Sequence, residues 1–188
     1  TLARSVNGSR PSISTCIDEI RGRIAAAAKR SGRDPGAVVL IGVVKTVPID
    51  LIRDAVAAGL ADLGENRVQE AEAVIDAVGR AAARWHMIGH LQRNKAARAA
   101  ERFDRVHGVD DAALAGALAR AAGRLARRLP VLIQVNVSGE ASKYGVREEA
   151  LGPLADAVGA MPELELDGLM SIGAPVERAE DARGGFAR

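Results

Sequence analysis

The sequence predicts an α/β fold, specifically a parallel (β/α)8 barrel of the TIM type. Short apolar segments alternate with helical patterns along the 188 residues, and no hairpin signal separates them. Such alternation implies parallel strands joined by right-handed crossovers, as in a doubly wound sheet or a barrel. Neither a GxGxxG fingerprint nor a GxxxxGK[ST] loop follows the first strand, so the common nucleotide-binding folds lose their main support. The barrel is therefore favoured, and an open six-stranded sheet is the alternative.

The predicted elements begin with an N-terminal helix over residues 12–31, where isoleucines recur at helical spacing and Gly32 follows. The run VVLIGVV at 38–44 is rich in β-branched residues, as expected for a strand covered on both faces. The later strands are predicted at 61–66, 85–90, 104–110, 130–137 and 164–173. The intervening helices are predicted to end near Gly59, Gly79, Phe103, Arg128 and Ala160, and a further helix begins at Glu177.

The strand count stops at six, whereas a barrel of this type closes with eight. The last residues also fall within a predicted helix. We therefore expect residues 1–188 to form a single barrel domain, preceded by the N-terminal helix and truncated after the sixth strand, with strands seven and eight absent.

The composition excludes several classes of function. With 26 basic and 24 acidic residues interspersed, the chain has no charged field that favours nucleic acid or an anionic membrane. Aromatic residues make up only 2% of the chain, too few for the stacking platforms of single-strand-binding proteins. The lone Cys16 forms no internal disulfide, and no apolar run reaches the ~18 residues of a membrane span. We expect a cytoplasmic protein without a metal site.

Functional groups of α/β barrels lie at the carboxyl ends of the strands, where the βα loops gather. No facing pair of carboxylates and no metal-ligand spacing occurs there, which leaves the amine of Lys45 as the most reactive group. An amine in a dry, apolar place has a lowered pKa and acts as a nucleophile, and Lys45 follows seven apolar residues. The alternative is a solvated charge that extends from the strand end. The strand-end positions are Lys45, Gly64–Asn66, His90, Asp110, Asn136 and Met170–Ser171.

Most other polar candidates have a structural alternative. Asn66 could cap the helix that follows it, and Met170 could serve packing alone. His86 and His107 are expected to be core histidines, whereas His90 could be structural or functional. The remaining lysines are expected to be solvated, and the chain contains only Lys29, Lys45, Lys95 and Lys143.

Six segments together resemble the pyridoxal phosphate homeostasis protein family, also called the proline synthase co-transcribed family. They are VVLIGVVKTVP, LGENRVQEA, WHMIGHLQRNK, VHGVD, VLIQVNVSGEASKYG and LELDGLMSIG, and the likeness spans roughly residues 12–188. Members are similar to the barrel domain of alanine racemase, the type III fold of pyridoxal phosphate enzymes, and carry the cofactor on a lysine after the first strand. The resemblance therefore implies that Lys45 holds pyridoxal 5'-phosphate as an aldimine.

The resemblance also implies the remaining contacts and the role. Asn66, Met170 and Ser171 match positions that approach the cofactor, and Val43 belongs to the strand that leads to Lys45. Lys143 matches a loop lysine that handles a second or departing cofactor. The implied function is a monomeric carrier without catalytic turnover, which regulates vitamin B6 and amino acid pools and supplies client enzymes.

The chain departs from the family pattern in one respect. Family members have an SMGMS-like and an RxGT-like turn that hold the phosphate, and neither occurs in the 188 residues. The alternative function is an amino acid racemase of fold type III. Racemisation in that class requires a tyrosine from a second, β-rich domain across a dimer, whereas the single tyrosine here, Tyr144, falls on a barrel loop. The carrier is therefore favoured.

Overall fold

The computed structural model describes residues 11–140, 143–173 and 176–186. Within these residues, parallel strands alternate with α-helices. The strands are Ile41–Val43 (β1), Asp62–Glu65 (β2), Arg84–Met87 (β3), Arg105–Val109 (β4), Leu129–Val135 (β5) and Leu164–Ser171 (β6). The helices are Ile13–Arg30 (α1), Ile49–Ala57 (α2), Val68–Val78 (α3), Ala96–Arg102 (α4), Ala112–Arg124 (α5), Glu148–Gly159 (α6) and Arg183–Phe186 (α7). Short 3-10 turns occupy Pro35–Ala37, Arg80–Ala82, Arg93–Lys95 and Ala179–Ala182.

The six strands form one sheet in the order β1-β2-β3-β4-β5-β6, and every pairing between them is parallel. Each strand therefore lies beside its neighbour in sequence. A doubly wound sheet would instead reverse its order at a switch point. The predicted α/β class is confirmed, and the strand order is that of a barrel rather than of a doubly wound sheet. Among the described residues, β1 and β6 form the two edges.

The first strand is shorter than predicted. β1 covers only Ile41–Val43, and Pro35–Ala37 form a 3-10 turn before it. Its partner β2 has four residues, and Ile41 pairs with Asp62 at the start of that strand. Val39 therefore has no ladder to join and is 55% exposed, while Val43 is 48% exposed. The prediction of a strand covered on both faces is thus wrong for the face that carries these two valines.

The helices pack against the opposite face of the sheet and enclose the hydrophobic core. Strand residues such as Leu63, Trp85 and Val106 are completely buried there, together with small residues of the Ala-rich α4 and α5. α1 begins at the cap residue Ser12, whose hydroxyl accepts a hydrogen bond from the Thr15 amide at 3.1 Å. This packing fixes the strands, and so it fixes the loops that follow their carboxyl ends.

A buried polar chain lies on the face of the sheet away from the helices. Asp62, His86 and His107 alternate with the core residues of β2, β3 and β4, so they point to the other side. His86 Nε2 donates to Asp62 at 2.9 Å, because a carboxylate only accepts. His86 Nδ1 then accepts from His107 Nε2 at 2.9 Å. The prediction that His86 and His107 are buried core histidines is confirmed.

Acid should destabilise the fold through this histidine pair. Burial lowers the pKa of His107 from 6.5 to about 4, and the charges of His86 and Arg105 act in the same direction. Burial also lowers the pKa of His86, although Asp62 opposes that shift. Between pH 4 and 6.5 the unfolded chain binds more protons at His107 than the folded chain does. The free energy of unfolding is therefore highest above pH 6.5 and decreases as the pH falls through this window. We expect a loss of about 3 kcal/mol from His107.

Urea unfolding at pH 7 and pH 4.5 checks this expectation in the natural chain and in His107→Gln. Glutamine keeps a donor for His86 but does not titrate, so its free energy of unfolding should change less with pH. The difference in free energy of unfolding between the natural chain and His107→Gln should therefore be smaller at pH 4.5 than at pH 7. A gap that stays constant would show that His107 is not held neutral.

Candidate functional site

Lys45 lies in a tight turn directly after β1. The Val47 amide donates to the Val44 carbonyl oxygen at 3.0 Å, and Thr46 between them adopts a φ of 60°. That left-handed position of a turn usually holds glycine or asparagine, and a β-branched residue is strained there. The Lys45 side chain is exposed. The expected dry environment is therefore not found, and the strained turn fixes only the backbone from which the Lys45 side chain extends.

A buried carboxyl group lies close enough to Lys45 to interact with its charge. Glu65, the last residue of β2, is only 1% exposed. Burial raises its pKa, while the Asn66 amide and the charge of Lys45 act in the opposite direction. The sequence indicated residue 65 only as a strand-end position, because a glutamate in a polar turn looks solvated. Its place in the strand predicted at 61–66 was the available sequence signal, and the burial of that strand is seen only in the structure.

Asn66 does not cap α3, so that alternative is wrong. The capping residue is Arg67, and no side chain caps the helix. Asn66 is half-buried, and its backbone packs against Gly89, where a Cβ atom would lie 2.3 Å from the Asn66 carbonyl oxygen. Asn66 also lines a cleft of about 450 Å³ between the start of α3 and the loop after β3.

His90, Asp110 and Tyr144 meet at the ends of β3, β4 and β5. The His90 and Tyr144 rings stack with their centroids 3.8 Å apart and an interplanar angle of 10°. His90 Nδ1 lies 3.4 Å from Asp110 Oδ2. Burial raises the pKa of Asp110, and the charge of His90 opposes that shift. Sequence analysis left the role of His90 open and missed this cluster, since its members are far apart in the chain.

The remaining predicted residues lie at the end of β6. Met170 and Ser171 line a separate cleft of about 260 Å³ that also contacts α6. Neither Lys45 nor Val43 lines this cleft or the cleft beside Asn66. The structure thus places the five predicted cofactor residues in three regions: Val43 and Lys45 at the β1 edge, Asn66 between β2 and β3, and Met170 with Ser171 at β6.

Lys143 is held within its own loop. Its Nζ atom lies 2.8 Å from Glu140 Oε1, and its side chain is 27% exposed, which is less than the exposure expected for a solvated lysine. The Asn136 side-chain amide donates to the carbonyl oxygens of Glu140 and Lys143, at 2.8 and 3.2 Å. Residues 141–142 of the SGEASKYG segment lie outside the described residues.

The donor set at the strand ends fits an aldehyde cofactor better than a metal ion. In the described ranges, no group of three His, Cys, Asp or Glu side chains is arranged to hold a metal. Lys45 presents an amine, Glu65 a carboxyl group, Asn66 an amide and Ser171 a hydroxyl group. These groups can form one covalent link and several hydrogen bonds. None of the described helices has the length and hydropathy to cross a bilayer.

Comparison with known families gives a match over most of the chain. The sequence model of the family described as alanine racemase, N-terminal domain, matches residues 16–187. Among curated proteins, the pyridoxal phosphate homeostasis protein of Pseudomonas aeruginosa is 43% identical over 172 residues. That alignment covers 92% of this chain and 75% of the relative.

Two solved structures relate the fold to this match. PipY of Synechococcus elongatus, solved with pyridoxal phosphate bound, is 34% identical with a TM-score of 0.67, and the alignment covers 89% of this chain and 80% of PipY. Alanine racemase from Corynebacterium glutamicum has a TM-score of 0.65 at 17% identity, covering 94% of this chain and 47% of the enzyme. At that identity the second likeness shows the fold alone.

Proposed function

Because the chain belongs to the pyridoxal phosphate homeostasis protein family, within the alanine racemase N-terminal domain family, we propose that it binds pyridoxal 5'-phosphate covalently through Lys45. The observation that carries this proposal is the exposed Lys45 amine in a strained turn at the end of β1. Lys45 would hold the cofactor, whose aldehyde would supply a covalent link to the amine with release of one water molecule.

Glu65 is a buried carboxyl group that interacts with the charge of Lys45. Its burial and raised pKa bring the carboxyl group closer to the range in which it can both take up and return a proton. Formation and hydrolysis of the covalent link both require proton transfer at the amine. A link of this kind would be reversed by the addition of one water molecule, which suits a protein that delivers its cofactor.

Hydrogen bonds from Asn66 and Ser171, and packing against Val43 and Met170, complete the proposed contacts. Lys45 is the only member of this set that carries a positive charge. The affinity for the cofactor thus depends strongly on the covalent link, because the other four residues offer little attraction for its phosphate.

We infer a carrier rather than a racemase. A racemase needs a second proton-transfer group on the far face of the cofactor, and Tyr144 is the single tyrosine of the sequence. Its ring is stacked on His90 and borders the cleft beside Asn66, which Lys45 does not line. The inferred protein is a cytoplasmic monomer that hands the cofactor to client apoenzymes and so regulates vitamin B6 and amino acid pools.

One experiment tests both binding and turnover. The protein is titrated with pyridoxal phosphate until its visible absorbance saturates, and is then incubated with L- and D-alanine in deuterated water. We expect a saturable band and no continuing deuteration at Cα of the amino acid. Failure of the band to appear would sink the binding proposal, whereas steady deuteration over many turnovers would establish the racemase instead.

A further inference from the structure

The cleft between the start of α3 and the loop after β3, here called the α3 cleft, has features of a ligand site in its own right. Its volume of about 450 Å³ lies within the range typical of small-molecule pockets. Of the five proposed cofactor residues, only Asn66 lines it; Lys45, Val43, Met170 and Ser171 do not. The lining residues are Asn66–Gln69, Met87, Gly89–Gln92, Lys95 and Tyr144.

The charges around the α3 cleft favour an anion. None of the described residues that line it carries a carboxylate, whereas two of them, Arg67 and Lys95, are cations. Arg67 is engaged by Glu70 at 2.8 Å on the exposed surface. Lys95 is half-buried, and no ion pair to another described residue neutralises it. A half-buried cation without a counter-charge attracts an anion more strongly than a solvated one.

Hydrogen-bond donors lie beside that cation. The amide groups of Gln69 and Gln92 border the α3 cleft, and both side chains are exposed to an incoming ligand. The first turn of α3, which begins at Val68, also faces the α3 cleft and has no side-chain cap. Its free amides add to the positive potential near Lys95. The polar side of the α3 cleft therefore offers hydrogen-bond donors from backbone amides, side-chain amides and cations.

The other side of the α3 cleft is apolar and flat. Met87 and Leu91 are almost completely buried at its base. Tyr144, which is 57% exposed, stacks on His90 and forms a rigid ring wall. Asp110 lies 3.4 Å from His90 Nδ1 and so restrains the imidazole from behind. An aromatic or other flat body could pack against this wall while its anionic group reaches Lys95.

We propose that the α3 cleft is a second binding site, for a small organic anion that carries a carboxylate or phosphate on a flat, apolar body. Lys95 binds the anionic group with help from Gln92, and the Tyr144–His90 wall packs against the body. Asn66 is the one proposed cofactor contact that also lines the α3 cleft, whereas Lys45 does not line it. Binding of an anion in the α3 cleft therefore does not require the Lys45 amine, and a Lys45 variant distinguishes failure of this proposal from failure of the proposed function.

Nuclear magnetic resonance of the isotope-labelled chain tests this proposal with three probes of one shape. Phenyl phosphate and benzoate carry the two kinds of anion, and benzyl alcohol is the neutral control. We expect saturable shifts of the Val68, Leu91 and Lys95 amide signals with one or both anions and no saturable shift with the alcohol. The anion that binds more tightly identifies the preferred group.

Variants then assign the binding to the cation. Lys95→Gln should weaken binding about tenfold or more, because a charge-assisted hydrogen bond is lost. Lys95→Arg should restore part of the affinity, and this rescue would exclude a mere loss of folding. Lys29→Gln, on the exposed last turn of α1, is the matched control and should leave binding unchanged. Lys45→Ala should also bind the probes as the natural chain does.

Several results would overturn the proposal. If Lys95→Gln bound the anions as tightly as the natural chain does, Lys95 would not be the residue that binds them. Shifts that grow linearly without saturation, or that are equal for the alcohol, would show nonspecific association. Shifts centred on Val43 and Lys45, and lost in Lys45→Ala, would show that the anions occupy the proposed cofactor site instead.

Discussion

Replacing Lys45 by alanine should abolish covalent attachment of pyridoxal phosphate and leave the fold intact. The side chain is exposed after the end of β1 and is not a core residue, so its removal should change the free energy of unfolding by less than about 0.5 kcal/mol. The visible band on cofactor addition should be absent. After borohydride reduction, mass spectrometry should find the cofactor on the Lys45 peptide of the natural chain and on no peptide of the variant.

Two further variants separate charge from nucleophilicity. Lys45→Arg keeps a positive charge but provides no amine that loses its proton near neutral pH, so it should also fail to form the covalent link. It should retain more noncovalent affinity than Lys45→Ala. Lys29→Ala, which removes an exposed lysine of α1, should behave as the natural chain does. A reduced cofactor found on Lys95 or Lys143 at equal yield would contradict the assignment.

Replacing Gly89 by alanine should destabilise the chain by about 3 kcal/mol. A Cβ atom there would lie 2.3, 2.8 and 2.9 Å from the carbonyl oxygen, Cα and carbonyl carbon of Asn66. These are backbone atoms at the end of β2, so no side-chain rotation relieves the overlap. β4 also lies close to Gly89, because a Cβ atom at Gly108 would lie 2.7 Å from the Gly89 carbonyl oxygen. A methyl group at residue 89 therefore forces the ends of β2, β3 and β4 apart.

Gly22→Ala is the matched control for this substitution. Gly22 lies within α1, and a Cβ there would meet no atom within 4 Å. Alanine should stabilise that helix by about 0.5–1 kcal/mol, since it has the higher helix propensity. Urea unfolding followed by circular dichroism measures both effects. If Gly89→Ala unfolds at the same urea concentration as the natural chain, the close approach of Asn66 to Gly89 is wrong.

The fold class and the alternation of strands and helices could be predicted from the sequence, because both depend on local periodicity. The start of β1 was misjudged for a different reason. Val38, Val39 and Leu40 have the composition of a strand, but strand length also depends on the partner, and β2 begins only at Asp62 opposite Ile41. Pairing across the sheet is a long-range property, so composition alone could not locate this boundary.

Only part of the candidate site could be selected from the sequence, because the rest depends on contacts between distant residues. Lys45 and Asn66 could be selected because strand ends gather on one side of a parallel sheet. The burial of Glu65 and the stacking of Tyr144 on His90 arise from contacts between separate loops. Residues 90 and 144 are brought together only when β3, β4 and β5 have taken their places in the sheet. No local pattern encodes that distance.

The positive φ of Thr46 has a consequence for conformational entropy. Holding a β-branched residue at a φ of 60° costs roughly 1–3 kcal/mol, and glycine would remove that strain. Glycine would also allow the backbone beside Lys45 many more directions, both in the folded chain and in the unfolded one. Threonine narrows the range of backbone directions at the residue next to Lys45. The chain thus gives up some local stability and gains a turn whose backbone beside Lys45 is already restricted before any ligand arrives.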